Sequence, residues 1–349
     1  MSAAPGSFAL IDFAKHGPAR RTRRAFLTGG APSREDGTDY WIRVHRRAMA
    51  CRFEITLASQ DAAAVPAARA ALDEIDRLEE ALSVFRETST ITRINRSAAD
   101  EPVDADPSIV ALLDDCATLY RDTGGAFDIT STPLSRCWGF LQREGRLPSA
   151  DAIDHARSRV GAGAIRLDKT RNTIRFDRRG LELNLGAIGK GYALDRVAIT
   201  MRQAGATDAL LSAGQSSLLA IGGRDRGWHV DVVSPAAMNG GHRLAQVWLR
   251  DAALGTSGAG EQFVIVDGTR YGHVIDPRTG WPASGVVSAS AIASRAADAD
   301  ALSTAFLVGG VELAESYCRE HADVIALVTP EGSQRPLVFG AHRGALVIA

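Results

Sequence analysis

The sequence predicts an α+β fold of largely antiparallel sheets with packed helices, and three observations lead there. Strand-like runs are interleaved unevenly with helical ones, without the steady βαβ alternation of a doubly wound fold. Between residues 209 and 293 short apolar and period-2 segments follow one another, one of them ending in the Asp267-Gly268 hairpin turn. No fixed-period repeat points to a solenoid or propeller. The 349 residues are enough chain for a sizeable core, about two domains' worth.

Charge and cysteine usage narrow the function classes. Lys plus Arg number 40 and Asp plus Glu 41, so no global field recruits nucleic acid or an anionic membrane, and any charged site is local. Cys51, Cys116, Cys137 and Cys318 lack C-x-x-C spacing, which argues against a zinc knuckle, a redox pair or a disulfide framework and for buried free thiols. No run approaches the ~18 apolar residues of a membrane span.

In chain order, residues 1–39 are polar and basic without periodicity and read as a loosely ordered tail, leaving 40–349 as the folded unit. Thr22-Arg23-Arg24-Ala25-Phe26-Leu27 looks like a twin-arginine signal, but no apolar run follows Arg23-Arg24, so the expectation is retention in the cytoplasm. A strand-like segment runs from Trp41 to Leu57. A helix over about 62–82 carries Leu72, Ile75, Leu78 and Leu82 on one face, and a second starts at Asp106-Pro107 and stops at Gly124. After a loop with Pro133 and Trp138 come a short helix near 150–160 and a hairpin over 165–176. Leu181, Leu183 and Leu185 then alternate with Glu182 and Asn184 as a half-buried strand would, and a helix follows over about 189–204 and ends near Gly205. Strands are expected over 209–211, 218–220, 228–233, 244–249, 263–266 and 286–293. Two helices broken at Gly309-Gly310 and short strands complete the chain.

Three clusters carry chemistry. Gly186, Gly189 and Gly191 with Lys190 lie at a strand-to-helix junction, where exposed first-turn N–H groups favour an anion such as a phosphate. The spacing fits neither a P-loop nor G-x-G-x-x-G, so on glycines alone a plain tight turn competes with a ligand loop. Asp300 and Thr304 stand at i and i+4 on a helix, a carboxylate and a hydroxyl on one face, which suits half of a Mg²⁺–phosphate site or a simple helix cap. His273 precedes the Asp276-Pro277-Arg278-Thr279-Gly280 turn at a strand end, where a base reaches a cleft or a structural histidine packs.

Together these clusters resemble the ApbE family of FAD:protein FMN transferases. The resemblance is carried, in family order, by Ala48-Met49, Gly125-Ala126-Phe127-Asp128 with Thr130, Trp138-Gly139-Phe140, Leu185 to Asp195, Thr256-Ser257-Gly258, His273 to Gly280 and Ala299 to Thr304. It implies a two-lobed single α+β unit that binds FAD with Mg²⁺ across the pyrophosphate. The FMN half would move onto a Ser or Thr hydroxyl of a target protein, with a metal-dependent FAD pyrophosphatase or a non-catalytic flavin-binding protein as the alternatives. By position, the Ala187 carbonyl, Asp300 and Thr304 hold the metal. Met49, Phe85, Ala126, Phe127, Asp128, Asn184 and Lys190 line the FAD site, and His273 accepts the hydroxyl proton. The chain departs from the family pattern at Ala50-Cys51, at Asn184 in place of aspartate, at Gln215-Ser216 in place of Gly-Asp, and at Phe85 in place of a flavin-facing tyrosine.

Overall fold

The computed structural model describes residues 12–14, 27–29, 40–142, 144–223, 226–233, 243–260 and 262–349. The twin-arginine look-alike at Arg23-Arg24 lies outside them. In chain order the elements are β1 (Asp12–Ala14), β2 (Leu27–Gly29), β3 (Trp41–Ala48), β4 (Cys51–Ala58), α1 (Val65–Leu82), α2 (Thr90–Ser97), β5 (Val103–Asp104), α3 (Pro107–Asp122), α4 (Thr132–Cys137), α5 (Ala150–Arg157), β6 (Ile165–Asp168), β7 (Thr173–Phe176) and α6 (Gly189–Gln203). There follow β8 (Ala209–Ala213), β9 (Ser217–Ile221), β10 (Trp228–Val233), β11 (Arg243–Leu249), β12 (Ala253–Gly258), β13 (Phe263–Val266), β14 (Thr269–Gly272), β15 (Val286–Ala293), α7 (Ala296–Glu320), β16 (Ile325–Pro330), β17 (Leu337–Gly340) and β18 (Ala345–Ile348).

A nine-stranded sheet in the order β1-β3-β4-β8-β9-β12-β15-β16-β17 is the frame, and a four-stranded sheet, β18-β11-β10-β2, packs on one of its faces. Leu210, Leu218, Val230, Val247, Leu254 and Leu327 fill the layer between them. The opposite face carries α1, α6 and α7, where Ile55, Leu72, Leu194, Ala299 and Phe306 belong to the larger core. Every pairing among the described strands is antiparallel, as the uneven interleaving of strands and helices predicts. On that face α6 and α7 lie side by side, α6 against β8 and β9 and α7 against β12, β15 and β16.

Several elements form for the reasons read from the sequence. Asp106 caps α3 through the Ser108 N–H at 2.8 Å, with Pro107 in the first turn. Gly205, at φ 80°, ends α6. The break expected at Gly309-Gly310 appears as a non-helical Gly310 inside α7, at φ 72° and ψ −162°.

Other expectations need correction. The segment from Trp41 to Leu57 is a hairpin of two strands, turned at Met49 and Ala50, both in the left-handed region at φ 48° and 57°. Neither residue is one that usually marks such a turn. The loop expected around Pro133 contains the short helix α4. Leu181, Leu183 and Leu185 are buried in alternation, yet they join no sheet. The side chain of Asn95 replaces the missing strand partner, accepting from the Leu183 N–H at 2.7 Å and donating to its carbonyl at 3.0 Å. Strand β12 went unpredicted because Ala253-Leu254-Gly255-Thr256-Ser257-Gly258 is small and does not alternate. Both its faces are covered, and a Cβ on Gly255 would sit 2.3 Å from the Ala299 carbonyl oxygen of α7. Of the four free thiols, Cys116 and Cys318 are buried while Cys51 and Cys137 are half-buried.

Candidate functional site

The two helices that bring the site together meet through glycine. A Cβ on Gly191 would lie 2.0 Å from the Ala296 carbonyl oxygen, so only glycine lets the first turn of α6 approach the start of α7 so closely. Lys190, Gly191 and Asp300 are thereby held together. The Asp300 carboxylate is only 4% exposed. Its Oδ2 accepts from the Gly191 N–H at 3.1 Å, its Oδ1 accepts from Ser217 Oγ at 2.9 Å, and Lys190 Nζ stands 3.7 Å from Oδ1. Lys190 also donates to Ser216 Oγ at 2.9 Å. A cationic amine, a helix N-terminus and a serine hydroxyl thus converge on one buried carboxylate.

Thr304, one turn further along α7, is 3.1 Å from Ser257 Oγ, which in turn lies 2.9 Å from Ser303 Oγ. Ser217 and Ser257 were not singled out in the sequence as site residues. Ser257 lay inside the Thr256-Ser257-Gly258 motif, whereas nothing in the sequence distinguished Ser217 from any other serine at a strand start. Ala187 sits in the turn just before α6, partly buried against the main core. Cys51 adjoins the same region: its Cβ is 2.9 Å from where a Gly214 Cβ would stand. Burial pushes the Cys51 thiol up to about 11, with Lys190 opposing and Asp300 reinforcing the shift, so it is a neutral thiol at physiological pH.

The other flavin-site candidates divide by exposure. Ala126 and Phe127 are buried, and the Phe127 ring belongs to the core, so toward a ligand this pair has its backbone to present. Asp128 is engaged by its own loop and by the Ala162 segment. Its carboxylate accepts from the Thr130 N–H and hydroxyl at 2.7 and 2.6 Å and from the Ala162 N–H at 3.2 Å. Burial raises its pKa against the pull of these bonds. Asn184 Oδ1 accepts from the Gly186 N–H at 2.9 Å, closing the turn that leads to Ala187. Met49 occupies the β3–β4 turn, and Phe85, 78% exposed, follows the end of α1.

His273 follows β14 directly. Its backbone N–H donates to the Gln262 carbonyl at 3.0 Å, and its Nδ1 lies 3.2 Å from the same oxygen. A carbonyl only accepts, so in this contact Nδ1 is the donor. The following turn is built as its sequence predicts. Asp276 accepts from the Arg278 N–H at 2.9 Å and from its guanidinium at 2.8 Å, and Gly280 takes φ 80°. Trp138 Nε1 donates to the Gly280 carbonyl at 2.9 Å, so the Trp138-Gly139-Phe140 segment anchors the loop that carries His273.

The site is thus a buried carboxylate between two helix starts, with a lysine and a serine hydroxyl beside it. The chain belongs to the ApbE family, whose profile matches residues 49–328. It is 34% identical over 278 residues to the FAD:protein FMN transferase of Treponema pallidum, covering 74% of this chain and 76% of that protein. A Klebsiella pneumoniae protein of the same name is 32% identical over 271 residues, covering 76% of each. Among solved structures, the ApbE protein of Thermotoga maritima aligns with a TM-score of 0.77 at 29% identity, covering 86% of this chain and 97% of that one. The Pseudomonas stutzeri flavinyl transferase ApbE aligns with a TM-score of 0.75 at 25% identity, over 86% and 95%.

Proposed function

We propose that this chain is an FAD:protein FMN transferase that, with Mg²⁺, moves the FMN half of FAD onto a Ser or Thr hydroxyl of a target protein and releases AMP. The observation that carries this reading is the convergence of Lys190 and the α6 N-terminus on the buried Asp300 carboxylate, which is the charge arrangement a pyrophosphate and a divalent ion require.

The donors on offer are hard oxygens. Among the described residues no group of three or more His, Cys, Asp or Glu side chains gathers. An ion here would rest on the Asp300 carboxylate, the Thr304 hydroxyl and the Ala187 carbonyl, with water and phosphate oxygens completing the shell. When bound, Mg²⁺ would supply neutralisation of the pyrophosphate and of the charge that builds on its leaving oxygen. Lys190 adds a positive charge to the same phosphates, and Met49, Phe85 and the turn at Asn184 contribute to holding the flavin side.

In the transfer the target hydroxyl oxygen attacks the phosphorus on the FMN side. The new O–P bond forms as the bond from that phosphorus to the bridging oxygen breaks, and AMP leaves with that oxygen. The hydroxyl proton passes to His273, the base carried at the end of β14. Phosphoryl-type transfer needs little beyond positioning and charge neutralisation, which this arrangement supplies.

The test is incubation of the protein with FAD, Mg²⁺ and candidate flavoproteins from the same source. The expected result is flavin fluorescence that stays with a target protein on a denaturing gel, with AMP released in equal amount. AMP and free FMN without labelled protein would make the chain an FAD pyrophosphatase, and no turnover would leave a flavin-binding protein. Either result would overturn the transfer. No helix among the described residues is long and apolar enough to cross a membrane.

A further inference from the structure

Asp195 closes the stretch that begins at Leu181, and nothing in the proposed chemistry uses it. It lies on α6, yet its carboxylate accepts from the backbone N–H groups of Ala296 and Ala297, the first two residues of α7, at 2.7 and 2.9 Å. Asp300, on α7, accepts from the Gly191 N–H in the first turn of α6 at 3.1 Å. The first four N–H groups of a helix have no partner within it and are usually met by a local cap. Neither helix has one: the flanking residues Ile188 of α6 and Arg295 of α7 make no capping bond with their side chains. Each helix is capped by an aspartate of the other.

We infer that Asp195 is a positioning residue for the metal–phosphate site: with Asp300 it forms a reciprocal pair of caps that locks the first turns of α6 and α7 together and fixes the Asp300 carboxylate beside Lys190. Its relevance to metal binding rests on the proposed function, whereas the reciprocal locking stands on the geometry alone. Gly191 permits the arrangement, because any side chain there would push the two helix starts apart. Asp300 itself lies little more than one turn into α7, so fraying at Ala296 and Ala297 shifts the carboxylate that Lys190, Ser217 and Gly191 surround. Asp300 therefore has two duties, as metal ligand and as cap. Asp195 has only the second, which makes it the residue whose removal separates them.

The test uses the full chain and two near-isosteric variants, Asp195→Asn and Asp300→Asn, read by amide hydrogen exchange and by Mn²⁺ binding in the presence of ADP, followed by electron paramagnetic resonance. Reciprocal caps predict that Asp195→Asn speeds exchange at Gly191 as well as at Ala296 and Ala297, by about tenfold or more. They predict equally that Asp300→Asn speeds exchange at Ala296 and Ala297. Mn²⁺ affinity should fall at least about tenfold in Asp195→Asn, while Ser149→Ala, which removes the remote cap of α5, lowers thermal stability without changing it. Exchange that changes only at each variant's own contacts overturns the inference, as does Mn²⁺ binding by Asp195→Asn equal to that of the wild type. If Asp195→Asn does not fold, the Asp300→Asn exchange pattern decides. A wild-type protein that binds no Mn²⁺ overturns the metal reading, and the paired caps are then judged by exchange.

Discussion

Ala50 holds a left-handed conformation at φ 57°, next to Met49 at φ 48°, so that β3 can turn back into β4 within two residues. An L-residue with a Cβ strains in this region by roughly 1–2 kcal/mol, and glycine does not. Ala50 is thus a point of local strain in the β3–β4 turn. Ala50→Gly should therefore raise stability by about 0.5–1 kcal/mol in a urea titration, after the entropy that glycine adds to the unfolded chain is subtracted. Unchanged or lower stability would show that the turn has relaxed around alanine. Burial keeps the adjacent Cys51 thiol neutral.

At the scale of elements, an extended segment and a helix pair carry the site. The segment from Leu181 to Leu185 has the alternating burial of a strand, but its hydrogen bonds at Leu183 go to Asn95 of α2. Asn95→Ala would leave a buried N–H and carbonyl without that partner. It should cost about 1–3 kcal/mol, read as a lower denaturation midpoint, while a loss below half a kcal/mol would mean that water replaces the amide. For the α6–α7 pair the readout is pH. Burial raises the Asp195 carboxyl to about 6, with the Ala296 and Ala297 N–H groups opposing the shift. Because the folded pKa lies above the unfolded value of ~3.9, the folded state binds the proton more tightly. The stability this group contributes is fully present below about pH 4 and is lost as pH rises through about 6. Asp195→Asn does not titrate, so the stability of the wild type relative to this variant should increase on going from pH 7 to pH 4, by something on the order of 2–3 kcal/mol. A difference that stays flat with pH would mean that the carboxyl titrates normally.

Across the whole molecule, what the sequence made legible was whatever local chemistry decides. The cap at Asp106-Pro107, the stop at Gly205, the Asp267-Gly268 turn and the Asp276 to Gly280 turn each follow from short-range preferences, and the structure has them where they were expected. What escaped depends on distant partners. Strand β12 is a strand because β9 and β15 flank it and α7 covers it, and its small residues give no period. The Leu181 stretch shows strand periodicity yet lacks a neighbouring strand. At the site, Asp300, Lys190 and Thr304 could be named from their motifs, whereas Ser217 and the exchange of caps between Asp195 and Asp300 appear only once two helices over a hundred residues apart in sequence meet. His273→Ala should keep FAD binding and slow FMN transfer by about 10²–10⁴-fold with little change in melting temperature, and near-normal transfer with lowered stability would remove it from the mechanism.

The claim that the buried Asp300 carboxylate is the centre of a metal–phosphate site is tested most directly by AMP release from FAD as a function of Mg²⁺ concentration, compared between wild type and Asp300→Asn. Asparagine keeps the shape of the side chain and one acceptor but removes the charge a divalent ion needs. The wild type should show saturable, Mg²⁺-dependent release. The variant, folded by circular dichroism, should show release reduced by about 10³-fold or more, or restored only at far higher Mg²⁺. Asp300→Asn turning over FAD at the wild-type rate and Mg²⁺ concentration would contradict the account.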